Sequence, residues 1–112
     1  MANYPLSPFR QVENTFYISG QIGIKDGKLV SENINEQTVQ AIANIKDILE
    51  QNKMTLENIA DVTAFITEQS DYTSFNDVYS KAFKEPFPSR TTVTVKSLPA
   101  NAKVELKVIA TK

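Results

Sequence analysis

The stretch Lys103-Val104-Glu105-Leu106-Lys107-Val108-Ile109-Ala110-Thr111 puts an apolar side chain at every second position: Val104, Leu106, Val108 and Ala110. Extended side chains alternate between faces, so this period of two predicts a strand with one face in a core. The intervening positions are mixed, since Glu105 and Lys107 are charged while Ile109 is apolar. Two more segments alternate: residues 60–67, through Val62, Ala64 and Ile66, and residues 91–96, through Val93 and Val95. Residues 15–19 are β-branched and aromatic, and Gly27 marks a hairpin turn ahead of a strand at 28–30.

Helical spacing replaces this alternation twice. Over residues 35–51 the stripe is Val39, Ile42, Ile45, Ile48 and Leu49. Asn33 is placed to cap it, with Glu36 three residues on as in a capping box. Over residues 72–84 the stripe is Phe75, Val78, Tyr79, Ala82 and Phe83, and Pro86 and Pro88 forbid continuation. Both stripes read as packing against a sheet. The order is β-β-α-β-α-β-β, an α+β fold with a mixed sheet and two helices on one face. Opposite the helix-facing positions this reading places Thr92, Thr94, Glu105, Lys107 and Ile109, with Tyr17 and Phe65. Large apolar groups on a face left to water are unusual, so self-association through it is expected.

Composition narrows the chemistry. The chain has 112 residues, 41% hydrophobic and 22% charged, as expected for a single domain over 1–112. Without cysteine there is no disulfide, thiolate nucleophile or cysteine–zinc site. Without histidine there is no Ser–His–Asp arrangement and no two-histidine ribonuclease chemistry. A net charge of −1 provides no electrostatic footprint for nucleic acid. The three glycines, at 20, 23 and 27, fit neither a dinucleotide fingerprint nor a P-loop. Residues 1–5 have neither the basic nor the apolar region of a secretory leader. No apolar run approaches the roughly 20 residues that cross a bilayer. A soluble, cytoplasmic protein is expected. Any chemistry falls to carboxylates, arginine, lysine, hydroxyls and backbone groups.

Arg90 and Glu105 are the pair that such chemistry would use. If residues 97–102 close a hairpin with Lys96 opposite Lys103, Arg90 lies opposite Ile109 and Glu105 opposite Thr94. The two would then project from one face about 13 Å apart, at 3.3 Å per residue. That is too far for an ion pair within one chain, but a symmetric neighbour could bring them together. One reading is an interface ion pair or two solvated strand charges. The other is an anion clamp beside a general base, because a guanidinium fork binds both oxygens of a carboxylate and a glutamate can take a proton from water.

Longer motifs go beyond this pair. They are Ile18-Ser19-Gly20-Gln21-Ile22, Glu36-Gln37-Thr38, Asn44-Ile45-Lys46, Val62-Thr63-Ala64-Phe65-Ile66-Thr67 and Phe75-Asn76-Asp77-Val78-Tyr79. Phe87-Pro88-Ser89-Arg90, Leu98-Pro99 and Val104-Glu105-Leu106 complete the set. In this order and spacing the chain resembles the RidA/YjgF family of enamine/imine deaminases. The resemblance implies a chorismate-mutase-like subunit in a homotrimeric barrel, with helices outside and clefts between neighbouring subunits. It implies hydrolysis of small carboxylated imines and enamines of the 2-aminoacrylate or 2-iminobutanoate type to 2-keto acids and ammonia, with no metal or organic cofactor. Arg90 would hold the substrate carboxylate and Glu105 would position or activate water. Ser19 and Gly20 would line the cleft with backbone donors, Tyr72 would be a pocket aromatic, and Asn76 would lie near the interface.

Two positions depart from the family pattern. Phe9, in Ser7-Pro8-Phe9-Arg10, stands where many members have a pocket tyrosine, and offers aromatic volume without a hydroxyl. Thr92 stands where cysteine is frequent. The lost hydroxyl motivates a second reading, a regulatory trimer that binds small carboxylates without turnover. A third, RNA cleavage or translation inhibition, conflicts with the missing histidine and the absence of a basic stripe.

Overall fold

The structure is a computed structural model describing residues 4–112. The segment 1–5 that was read for a leader is therefore described only from Tyr4. The strands are β1 (Phe9–Val12), β2 (Thr15–Ile22), β3 (Ile24–Lys25), β4 (Lys28–Leu29), β5 (Ile59–Ile66), β6 (Ser89–Thr94) and β7 (Val104–Thr111). The helices are α1 (Ile34–Gln51) and α2 (Tyr72–Ala82). The main sheet runs β1-β2-β7-β5-β6, while β3 and β4 pair only with each other. Its strands and the two helices follow the expected β-β-α-β-α-β-β order, and the architecture is α+β with a mixed sheet. The strand expected at 28–30 belongs instead to the small ribbon. Its place in the main sheet is taken by β1, four residues too short and too polar to show alternation.

The hairpin expected between residues 91–96 and strand β7 does not form. Strand β5 lies between them, pairing antiparallel with β7 and parallel with β6. Parallel neighbours need a crossover, and α2 supplies it from the end of β5 to the start of β6. The register pairs Val62 with Arg90, Ala64 with Thr92 and Phe65 with Val93. Paired residues share a face, so Arg90, Thr92 and Thr94 lie on the helix side and Val93 on the other. This reverses the expected orientation of β6, and Val93 is exposed.

The other expectations for that outer face hold, because Tyr17 pairs with Ile109 and Phe65 with Glu105. Helix α1 packs over β2 and β7 and against α2. Their contact closes a core containing Phe16, Ile18, Ile45, Leu49, Val62, Phe75, Val104, Leu106 and Val108. Truncating one such fully buried side chain costs about 2–5 kcal/mol. Val39, expected in the α1 stripe, is 57% exposed, and the buried face uses Ile34, Gln37, Thr38 and Ala41 instead. No helix among the described residues is long and apolar enough to cross a membrane.

Polar pins fix these elements, and several fall in the motifs quoted above. The Asn33 side chain caps α1 by accepting from the N–H groups of Asn35 and Glu36. The reciprocal bond expected from Glu36 is not made, because the Asn33 N–H donates to Ser31 Oγ at 2.8 Å. Buried Gln37 donates to the Ser31 carbonyl at 2.9 Å and accepts from the Lys103 N–H at 2.8 Å, tying α1 to the start of β7. Asn44 donates to the carbonyls of Ile22 and Ile24. At Gly23 a Cβ would lie 2.6 Å from the Gln37 Cα, so this close approach of strand and helix requires glycine.

Candidate active site

Strand β2 loses register against β7 between Ile18 and Gln21. The irregularity falls on Ser19 and Gly20, and bulges of this kind re-aim side chains beside functional sites. Ser19 is anchored twice. Its hydroxyl donates to the Ser7 carbonyl at 2.6 Å and its N–H to the Pro8 carbonyl at 3.0 Å. These bonds hold Ser7 and Pro8 beside the bulge in β2. At Gly20 a Cβ would collide with the Glu105 carboxylate, whose Cδ would be only 2.8 Å away. Gly20 therefore makes the room that Glu105 occupies. Burial pushes the Glu105 carboxyl above its ordinary pKa, the direction that suits a base working near neutrality.

Glu105, Ser19 and Gly20 share a hollow of about 970 Å³ with Tyr4, Arg10, Tyr17, Pro99 and Lys107, among others. Arg10 and Tyr17 are paired across β1 and β2. The sequence motifs did not single out Tyr4, Arg10 or Lys107. The available signal was the paired register itself, which is invisible until β1 is recognised as a strand. Phe9 is not among the lining residues. It pairs with Ile18 on the core side, and its ring lies 5.9 Å from that of Phe16. Within the single chain it is partly buried against the core side, as an apolar ring next to a core strand should be.

Arg90 lies elsewhere, on the helix side, half-buried against α2. Its guanidinium carbon is 4.7 Å from the centre of the Tyr79 ring, 5.4 Å from Phe75 and 5.8 Å from Tyr72. Nη2 donates to the Tyr72 hydroxyl at 3.1 Å. The Tyr72 hydroxyl is held below its ordinary pKa by a hydrogen bond with the Asn76 side chain and by the Arg90 charge. A hollow of about 360 Å³ here is lined by Arg90, Tyr79, Asn76, Asp77, Ser80, Phe87 and Pro88. Thr92, two residues beyond Arg90 on the same face, has a buried hydroxyl without a hydrogen-bond partner among the described residues.

The expected site residues therefore form two groups. Arg90, Tyr72, Thr92 and Asn76 gather between β6 and α2, while Glu105, Ser19 and Gly20 gather at the bulge on the opposite side of the sheet. Within one subunit the structure does not join them. A third hollow, of about 540 Å³ near Leu56, Phe83 and Pro86, contains none of these residues.

The family model described as Endoribonuclease L-PSP matches residues 1–112. A protein of Dermatophagoides farinae named 2-iminobutanoate/2-iminopropanoate deaminase is 37% identical over 114 residues, covering 97% of this chain and 89% of its own length. The crystal structure of RidA from an Antarctic Psychrobacter shares 32% identity with a TM-score of 0.94, covering 100% of this chain and 92% of its own. That of E. coli TdcF with bound serine shares 28% identity with a TM-score of 0.91, covering 99% and 91%. Matched along its whole length, the chain belongs to the RidA/YjgF family, the family described as Endoribonuclease L-PSP.

Proposed function

We propose that the protein is a cofactor-independent imine deaminase acting on small 2-imino acids, with its site assembled between subunits of a homotrimer. The observation that carries this reading is the seat of Arg90. Its guanidinium rests on three aromatic rings and makes one side-chain hydrogen bond among the described residues, to Tyr72. A guanidinium held by rings keeps its charge and most of its donors for a substrate carboxylate. The deaminase name of the mite relative and the serine bound by TdcF agree with a small amino-acid-like ligand.

In this reading Arg90 of one subunit holds the carboxylate, and the bulge of a neighbour supplies Glu105. Glu105 takes a proton from water as the oxygen bonds to the imine carbon and the C=N π pair moves to nitrogen. The proton then passes from Glu105 to that nitrogen, giving the carbinolamine. A second transfer through Glu105 carries the carbinol O–H proton to the amino nitrogen, and the C–N bond breaks with its electron pair leaving on ammonia as the O–H pair closes the keto C=O. One water is consumed and Glu105 ends as it began. The outer face, with Tyr17, Phe65, Val93 and Ile109, supports burial against other copies.

The test is a coupled assay. A serine or threonine dehydratase generates the imine, semicarbazide traps what is not hydrolysed, and keto-acid release is followed. Wild type should accelerate release, and Arg90→Ala and Glu105→Ala should not. A wild type without effect on any such imine would favour the regulatory reading, which the missing hydroxyl at Phe9 motivates.

A further inference from the structure

A carboxylate clamp needs a guanidinium that is both charged and held still. Acidic partners immobilise arginine but compete with the ligand, whereas aromatic faces immobilise it and leave its edge donors open. Among the three rings around Arg90, that of Tyr79 is nearest, at 4.7 Å. It is also the central ring of a ladder along α2. Tyr79 stacks on Phe83 with centres 4.3 Å apart and planes 23° apart, and its centre lies 5.6 Å from that of Phe75. Phe75 and Phe83 are core residues, and Tyr79 itself is only 6% exposed. Tyr72, by contrast, is 41% exposed, and its ring is the farthest of the three from the guanidinium.

We propose that Tyr79 is the positioning residue of the clamp, a rigid aromatic platform that fixes the Arg90 guanidinium for a carboxylate ligand without neutralising it. The proposal rests on the reading that Arg90 binds the carboxylate. The Tyr79 hydroxyl is buried and has no hydrogen-bond partner among the described residues, so no hydrogen bond among them accounts for the placement of this side chain. The ring does the holding. Tyr79 also lines the hollow into which Arg90 opens, which ties the platform to the ligand's side of the guanidinium.

The experiment titrates 2-oxobutanoate calorimetrically into wild type, Tyr79→Met, Tyr79→Phe, Arg90→Ala and the Arg90→Ala/Tyr79→Met double variant. Thermal melts establish that each is folded, and the Arg90 Nε–H resonance is recorded in wild type. Tyr79→Met, which keeps an apolar, flexible side chain but not the ring, should weaken binding on the order of tenfold. KM for the imine should rise by a similar factor while kcat changes less. Tyr79→Phe should recover most of the loss, Tyr79→Met should add nothing once Arg90 is gone, and ring current should move the wild-type Arg90 resonance upfield. Unchanged affinity in Tyr79→Met, an equal loss in the Arg90→Ala background, or an unshifted wild-type resonance overturns the proposal. Binding and turnover are separate arms. Arg90-dependent binding of 2-oxobutanoate without imine turnover sinks the deaminase reading, while the Tyr79 comparison still decides this one.

Discussion

Arg90 and Glu105 leave the same sheet from opposite faces. Arg90 pairs with Val62 on β5, whose side chain faces the helices, and Glu105 pairs with Phe65, whose side chain faces away. They are also two strands apart, on the order of 10 Å at the usual strand spacing. A 2-imino acid, only a few ångströms long, cannot reach both faces of a sheet within one subunit, so joint action by these residues requires a second copy.

Removing the clamp should be severe. Arg90→Ala is expected to lower kcat/KM by about 2–5 kcal/mol, roughly 30-fold to several thousand-fold. Arg90→Lys should recover little, because a point charge replaces a planar fork and loses its stacking on Tyr79. Steady-state kinetics of both variants checks this, and a lysine variant near wild type would argue against bidentate binding.

Glu105 gives a pH signature with a definite sign. Burial raises its pKa in the folded state, so the folded-state preference for the protonated form is complete below the unfolded pKa and disappears as pH rises through the folded one. Glu105→Gln, permanently neutral, should therefore melt higher than wild type at neutral pH, with the gap closing on acidification. Its turnover should fall by about 10²–10⁴ if Glu105 is the general base. Wild-type kcat should rise with pH through an apparent pKa above that of an ordinary glutamate. Melting curves and a rate profile over the acid range check both statements.

Gly20→Ala tests the contact between bulge and carboxylate. The added methyl meets Glu105, and overpacking of this kind costs about 1–3 kcal/mol. Loss of activity should exceed what the lowered melting point explains, since Glu105 is the group displaced. Kinetics measured well below the melting transition separate the two effects.

Gln37 should behave oppositely. It joins α1 to the start of β7 through two hydrogen bonds and touches neither group of site residues. Gln37→Leu is expected to destabilise by about 1–3 kcal/mol, leaving the Lys103 N–H without its acceptor. KM should not change at temperatures where the variant is folded. Denaturant titration alongside kinetics checks this.

Much of this architecture was legible in the sequence. Alternation at Val104, Leu106, Val108 and Ala110, and helical spacing at Ile42, Ile45 and Leu49, are local patterns that burial imposes directly. Pairing partners are not local. Nothing in residues 91–96 says that β5 will lie between them and β7, so the sides of Arg90 and Thr92 were misjudged. Val39 and Val93 look like core residues by type, yet their positions are exposed. At the site, residue chemistry pointed to Arg90 and Glu105, but the aromatic seat of Arg90 was hidden inside what read as a plain core stripe.

The most direct test of a site shared between subunits is complementation. Arg90→Ala and Glu105→Ala proteins, each inactive, are unfolded and refolded together in equal amounts, and imine hydrolysis is measured in the mixed oligomers. In a closed ring where each site takes Arg90 from one subunit and Glu105 from its neighbour, about a quarter of the sites regain both groups. Activity should return to about that fraction of wild type. Mixed oligomers as inactive as their parents would contradict the account.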